Sequence, residues 1–228
     1  MSEERGPCVK QIILLHTVQT MYLQFEKKVR ESLAEEVKID NILDTYFSSN
    51  PNEVGYFSTE NMNRLYFTLK SAELAKPVCI PIVCSSLSPY IERMQPFISV
   101  PLLQIDKRLA PEAIAKGNRI MVLSSAPSSI KATVSQLEAA AQEADKSVTI
   151  DSIYDIRAFH AMMGGDMETH ERVILEAVGK VRGYDVIVFA QGSLEYLTEK
   201  VENITGIPTI SAPKLLVEDI RSVVVEGG

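Results

Sequence analysis

Residues 185–201, DVIVFAQGSLEYLTEKV, contain the pattern from which the fold class of this chain can be predicted. An apolar run rich in β-branched residues, DVIVFA, is followed within a few positions by an amphipathic stretch. A short continuous apolar run of this kind is typical of a strand buried on both faces, as in a parallel sheet. The same order occurs 107 residues earlier, in VCIPIVCSSLSPYIERM (78–94). Each stretch therefore predicts a strand that leads through a short polar turn into a helix.

The rest of the chain continues this alternation of strand and helix. Buried strands are predicted at 9–15, 37–43, 78–83, 119–123, 147–153 and 185–190. Helices are predicted at 20–36, 58–75, 88–96, 129–144, 167–182, 194–203 and 214–225. Strands that alternate with helices form a parallel sheet with helices packed on its faces. The predicted fold class is therefore α/β.

A shift of 107 residues aligns two parts of the chain with their elements in the same order. The shift pairs Ser86 with Ser193 and Pro101 with Pro208 without a gap between the two matches. This constant offset predicts two pseudo-symmetric α/β halves, each a mostly parallel sheet flanked by helices. The alternative is that the two halves share only the rhythm of their elements, because the identity over the whole overlap is low.

The composition argues against several classes of function. The chain has 228 residues, a formal net charge of -7 and 46% hydrophobic residues, which is ordinary for a globular protein. An acidic balance without a cluster of Lys and Arg argues against nucleic-acid binding. No apolar run approaches the roughly 20 residues that a membrane helix needs, and residues 1–8 do not resemble a signal peptide, so a cytoplasmic protein is expected. Three irregularly spaced cysteines predict neither a disulfide framework nor a metal site.

The candidate functional residues follow the predicted strands, because α/β sheets bind ligands beyond the carboxyl ends of their strands. Small hydroxyls and backbone N–H groups at helix N-termini suit an anion such as a carboxylate. A helix N-terminus also favours the thiolate form of cysteine, so Cys84 is a candidate proton acceptor or nucleophile. The stretches in question are HT (16–17), CSS (84–86), SSAPSS (124–129) and QGS (191–193).

Each candidate also has a purely structural interpretation. Cys84 could close a strand as a small apolar side chain, and the serines could serve only as N-caps. His16 ends a strand at the predicted cleft, whereas His170 could lie on the face of a helix that begins after Asp166. His160, within AFHAMM, is more typical of the core or the surface.

Taken together, these stretches resemble the aspartate/glutamate racemase superfamily, and within it the Asp/Glu/hydantoin racemase-like branch. The matching segments follow one another in order along nearly the whole chain. They are IILLHT (12–17), PIVCSSLSP (81–89), VPLLQIDKRLA (100–110), RIMVLSSAPSSIKATV (119–134), AFHAMMGGDMETHE (158–171), DVIVFAQGSL (185–194) and IPTISAPKLLVE (207–218).

The resemblance implies an architecture as well as a chemistry. It implies one α/β domain formed by residues 1–103 together with 207–228, and a second formed by residues 104–206, with the active site between them. It also implies that catalysis needs no cofactor and no metal, that the ligand is a small carboxylate or an amino-acid-like molecule, and that the protein is a homo-oligomer.

Relatives in this superfamily use two cysteines, one in each half, on opposite faces of the substrate α-carbon. The resemblance implies that Cys84 is the first, whereas Gln191 stands where relatives have the second. A side-chain amide does not exchange a proton near neutral pH, so the proton donor on that side is expected to be His16, His170 or a held water, with a histidine favoured. The substrate is expected to contact Thr17, Ser85, Ser86, Ser125, Ser128, Ser129, Gly192 and Ser193.

Two classes of function follow. The first is a cofactor-independent racemase or isomerase that transfers a proton at the α-carbon through Cys84, with a single-cysteine decarboxylase or lyase as its variant. The second is a diverged carboxylate-binding protein without catalysis.

Overall fold

The computed structural model describes residues 9–34, 36–125 and 127–226, except for the side chains of residues 20, 52, 127, 128 and 226. The chain divides into two compact units. The first unit runs to Ile105 and also includes the residues from Leu216 onward, and the second unit is Asp106–Leu215.

The first unit is a four-stranded parallel sheet with the strand order β2-β1-β3-β4. Its strands are β1 (Gln11–His16), β2 (Lys38–Leu43), β3 (Ile80–Val83) and β4 (Leu102–Gln104). Its helices are α1 (Gln19–Ser32), α2 (Tyr46–Val54), α3 (Thr59–Glu73) and α4 (Ser88–Met94).

The second unit repeats this sheet with the order β6-β5-β7-β8, again with parallel pairs. Its strands are β5 (Arg119–Ser124), β6 (Thr149–Tyr154), β7 (Val186–Phe189) and β8 (Thr209–Ile210). Its helices are α5 (Leu109–Lys116), α6 (Pro127–Glu143), α7 (Ile156–Met163), α8 (Met167–Val178) and α9 (Thr198–Thr205), and α10 (Ala212–Glu226) begins here and continues into the residues of the first unit.

The central strands are apolar along their whole length because both faces of each sheet are covered. All four residues of β3 and of β7 are buried. In the second unit Ile187 and Phe189 pack into the cluster that contains Val173 of α8, whereas Val186 and Val188 pack into the opposite cluster. This alternation places one row of β7 side chains under each layer of helices.

The prediction of two pseudo-symmetric α/β halves is confirmed by the identical strand order and by equivalent hydrogen bonds. Ile80 N donates to Pro101 O at 2.9 Å, and Ile187 N donates to Pro208 O at 2.9 Å. The two pairs lie 107 residues apart, which is the offset found in the sequence.

All the predicted strands and helices are present, with ends shifted by a few residues. The sequence did not indicate β4 and β8, which have three and two residues and are too short to show a pattern. It also did not indicate α2, α5 and α7. Helix α2 contains Pro51, and α5 and α7 have eight residues each, which is shorter than the window of about 11–18 residues over which a helical period is recognised. None of the helices described here is long and apolar enough to cross a membrane.

Candidate functional site

Cys84 lies at the carboxyl end of β3, between the strand and a 3-10 turn formed by residues Ser85–Leu87. Thr17 follows β1, which is the neighbouring strand, so the two side chains meet at one edge of the sheet. Thr17 Oγ1 donates a hydrogen bond to Cys84 Sγ at 2.8 Å, and Ser86 Oγ lies 3.0 Å from the same sulfur. Thr17 is buried and Cys84 is partly exposed. A thiolate at this position would accept hydrogen bonds from both hydroxyls.

His16 ends β1 and is fully buried. Its Nε2 lies 3.1 Å from Asn41 Oδ1, and Asn41 Nδ2 donates to Glu26 Oε2 at 2.6 Å. Because the carboxylate can only accept, the oxygen of Asn41 must face the imidazole, so Nε2 carries the proton. The unprotonated Nδ1 is also buried and has no hydrogen-bond partner among the described residues.

The environment of His16 favours the neutral imidazole. Burial lowers the pKa of His16 below its ordinary value of 6.5, while the hydrogen bond to Asn41 and the charge of Glu26 oppose this shift only in part. The ring also packs edge-on against Tyr22, with 5.4 Å between the ring centroids. His16 is therefore a neutral base with one free lone pair at neutral pH.

This burial predicts a loss of stability in mild acid. In the unfolded chain His16 takes up a proton as the pH falls through about 6.5, whereas in the folded protein it stays neutral to a lower pH. The contribution of His16 to the free energy of unfolding is therefore fully present above that pH and is lost below it. We expect this free energy, measured by urea unfolding, to fall less between pH 7 and pH 5 in His16→Gln than in the wild type. Equal falls would show that His16 takes up its proton over the same pH range in the folded and the unfolded chain.

Gln191 lies at the end of β7, in the position that Cys84 has in the first unit. Its Oε1 accepts three hydrogen bonds, from Ser124 Oγ at 3.0 Å, from Ser125 N at 2.8 Å and from Ser125 Oγ at 2.7 Å. Both serines are fully buried, and Gln191 is partly exposed. The sequence analysis predicts that Ser125 contacts the substrate. In the structure both its hydroxyl and its backbone N–H donate to Gln191 Oε1.

The two strand ends share one arrangement. Thr17 and Ser124 are 107 residues apart, as are Cys84 and Gln191, and in each unit the hydroxyl donates to the residue that follows the neighbouring strand. The backbone is extended at both positions, with φ -159° and ψ 111° at Cys84 and φ -137° and ψ 131° at Gln191. The acceptor is a sulfur in the first unit and an amide oxygen in the second.

The other predicted residues are less constrained. Ser85 and Ser193 are exposed and Gly192 is partly buried, all in the 3-10 turns that follow β3 and β7. Ser129 lies in the first turn of α6, and no described residue makes a hydrogen bond with the hydroxyl of Ser85, Ser129 or Ser193. The side chain of Ser128 lies outside the described residues.

His170 is not joined to Gln191 by any hydrogen bond. It is fully buried in α8, and its Nδ1 lies 2.9 Å from Ala158 O, so Nδ1 carries the proton. Its Nε2 has no partner among the described residues, and its ring centroid lies 6.3 Å from that of Tyr196 in the 3-10 turn after Gln191.

The sequence does not indicate which neighbouring residues orient the side chains of the predicted site residues. Asn41 and Glu26 hold His16, but one lies within a predicted strand and the other on a predicted helix. Ser124 lies in the candidate stretch 124–129 and aligns with Thr17 in the internal repeat, but the sequence does not show that its hydroxyl donates to Gln191. Among the described residues, no group of three or more His, Cys, Asp or Glu could hold a metal ion.

The chain belongs to the Asp/Glu/hydantoin racemase family, since the sequence model of that family matches residues 16–220. Among curated proteins no significant match is found.

Several solved structures share the fold. An aspartate racemase homologue from Pyrococcus horikoshii has a TM-score of 0.70 at 15% identity, covering 95% of this chain and 100% of its own. The aspartate racemase of Picrophilus torridus has a TM-score of 0.69 at 15% identity, with 94% of each chain covered. The allantoin racemase of Klebsiella pneumoniae has a TM-score of 0.61 at 14% identity, covering 96% of this chain and 89% of its own. At these identities the similarity shows the fold alone.

Proposed function

We propose that the protein is a cofactor-independent enzyme that transfers a proton at the α-carbon of a small carboxylate or amino-acid-like substrate, with Cys84 as the proton-transferring group. The observation that carries this proposal is the sulfur of Cys84, partly exposed at a strand end and contacted by the hydroxyls of Thr17 and Ser86. Membership of the racemase family supports a racemase-like reaction at such a thiol.

The proposed step needs only a thiolate and a carboxylate substrate. The α C–H bond breaks, an S–H bond forms at Cys84, and the electron pair of the C–H bond moves onto the carboxylate carbon–oxygen system. The thiol then returns a proton to the same carbon. Because the S–H proton exchanges with water, each cycle replaces the α-hydrogen by a solvent hydrogen.

A single thiol serves only one face of the α-carbon. Inversion needs a second proton donor on the opposite face, and the amide of Gln191 cannot supply a proton near neutral pH. The proposal therefore favours α-hydrogen exchange, or a one-base isomerase or lyase step such as decarboxylation, over rapid racemisation.

The second candidate is a carboxylate-binding protein without catalysis. It is favoured by Gln191 itself, an amide that accepts three hydrogen bonds at the position where the resemblance to racemases implies a second cysteine. The two candidates differ in one measurement, which is NMR of amino acids, malonates and hydantoins incubated with the protein in D₂O. Loss of the α-proton signal of any of them supports the enzyme, and its persistence across the whole panel favours the binding protein.

The thiols should differ sharply in reactivity. Cys79 is fully buried, and burial raises its pKa to about 12, so almost none of it is thiolate at pH 8. In a Cys8→Ser background we expect iodoacetamide to modify Cys84 and to leave Cys79 unmodified, as read by peptide mass spectrometry. Malonate should slow the modification of Cys84, and its neutral analogue malonamide should not. An unreactive Cys84 would count against the enzyme.

A further inference from the structure

The hydrogen bonds of Gln191 fix which way its amide points. A backbone N–H is a donor only, so the side-chain atom 2.8 Å from Ser125 N has to be the oxygen. The hydroxyls of Ser124 and Ser125 donate to that oxygen as well. With three donors converging on Oε1, a flipped amide would place an N–H₂ group against a backbone N–H.

The opposite side of the amide is therefore a pair of oriented donors. Nε2 carries two N–H bonds, and no described residue accepts a hydrogen bond from either of them. The side chain is partly exposed, so these donors are accessible. Donors held in place by buried serines lose little conformational freedom when an acceptor binds.

Comparison of the two units shows how the hydrogen bonding of Gln191 differs from that of Cys84 at the equivalent position. At the equivalent position of the first unit the Thr17 hydroxyl donates to the sulfur of Cys84, and in the second unit Ser124 donates to Oε1. The amide oxygen thus takes the acceptor role of a cysteine sulfur, and the Nε2 group is added beyond it. The position therefore presents two hydrogen-bond donors in place of a group that exchanges protons.

We propose that the Nε2 group of Gln191 binds an anionic oxygen of the carboxylate ligand, with Ser124 and Ser125 as the positioning residues that hold the amide. The ligand class rests on the proposed function. If the ligand carboxylate gains charge when the α-proton leaves, the same donors stabilise that charge, because charged acceptors form the stronger hydrogen bonds.

The test replaces the Nε2 donor of Gln191 and keeps an oxygen at the position of Oε1. Gln191→Glu retains an oxygen for Ser124 and Ser125 and puts a charged oxygen where the N–H₂ group was. We expect the affinity for malonate, measured by calorimetry, to fall about 10- to 100-fold, which is the loss of a hydrogen bond to a charged group. Gln142→Glu, at an exposed glutamine of α6 in the same unit, makes the same change of charge and should leave the affinity unchanged.

A measurement on the wild type makes the test independent of the variant's folding. In ¹⁵N-labelled protein the side-chain amide resonances of Gln191 should move as malonate is added and should stay fixed with malonamide. The inference is overturned if malonate and the other carboxylates of the panel leave these resonances in place, or if a folded Gln191→Glu binds malonate as the wild type does.

Failure of this inference and failure of the proposed function give different results. α-Hydrogen exchange in D₂O together with an unchanged malonate affinity in Gln191→Glu would reject the role of Gln191 and retain the enzyme. Malonate binding that depends on Gln191, without exchange of any substrate, would retain the role of Gln191 and reject the enzyme.

Discussion

Cys84→Ala is expected to lower the rate of α-hydrogen exchange at least about a hundredfold, because general acid–base groups contribute roughly 10²–10⁴-fold to such rates. The variant removes the sulfur that Thr17 and Ser86 contact and leaves the strand in place, since alanine fits wherever cysteine does. The measurement is the loss of the α-proton signal in D₂O, followed by NMR for wild type and variant at equal concentration.

Cys79→Ala is the matched control. Cys79 lies in the same segment of chain, directly before β3, but it is fully buried, and no hydrogen bond joins its side chain to Thr17 or Ser86. It should lower the free energy of unfolding through the lost packing and should exchange the α-hydrogen at the wild-type rate. If Cys84→Ala keeps the wild-type rate, the thiol is not the proton-transferring group.

Phe189→Ala should cause the largest loss of stability among the changes considered. Phe189 is 1% exposed and belongs to the cluster that joins β7 to α8. Truncating a buried phenylalanine removes apolar contacts and leaves a cavity, which costs about 3–5 kcal/mol. Phe189 also pairs with Leu123 in the sheet, two residues before Gln191, so the change should weaken carboxylate binding as well.

Phe67→Ala tests whether burial causes this loss. Phe67 lies on α3 and is 67% exposed, so its replacement should change the free energy of unfolding by no more than about 0.5 kcal/mol. Urea unfolding followed by circular dichroism gives both values. Similar losses in the two variants would mean that Phe189 does not pack as the structure shows.

The central strands could be predicted because they consist of continuous runs of apolar residues, which indicate burial on both faces. VIVF and IPIV are buried on both faces, and such runs have few alternatives in an α/β chain. The edge strand β8 has two residues, and its pairing with β7 depends on the position of the neighbouring strand and not on its own pattern. Short helices such as α7 likewise form where tertiary packing selects them.

The positions of Cys84 and Gln191 at the ends of strands could be predicted from the sequence, but the orientation of their side chains could not. The rule that ligands bind at strand ends located Cys84 and Gln191, because it depends only on where strands stop. The hydrogen bonds that orient Gln191 and the tautomer of His16 depend on contacts between residues far apart in sequence, such as Ser125 with Gln191. A local sequence pattern cannot predict such contacts. The two domain boundaries, the homo-oligomer and the individual substrate contacts stay predictions.

Because part of helix α10 belongs to the first unit, the first unit is built from two separate segments of the chain and the second from one. The second unit is one continuous segment, whereas the first takes up the residues from Leu216 onward, and the amine of Lys10 donates to the carbonyl of Val224 across 214 positions of sequence. Closing so long a loop costs entropy before any contact compensates for it, and contacts of long range slow folding. During synthesis the second unit can fold once its own continuous segment has emerged, whereas the first unit also needs the residues of α10 that reach Lys10, which directly precedes β1.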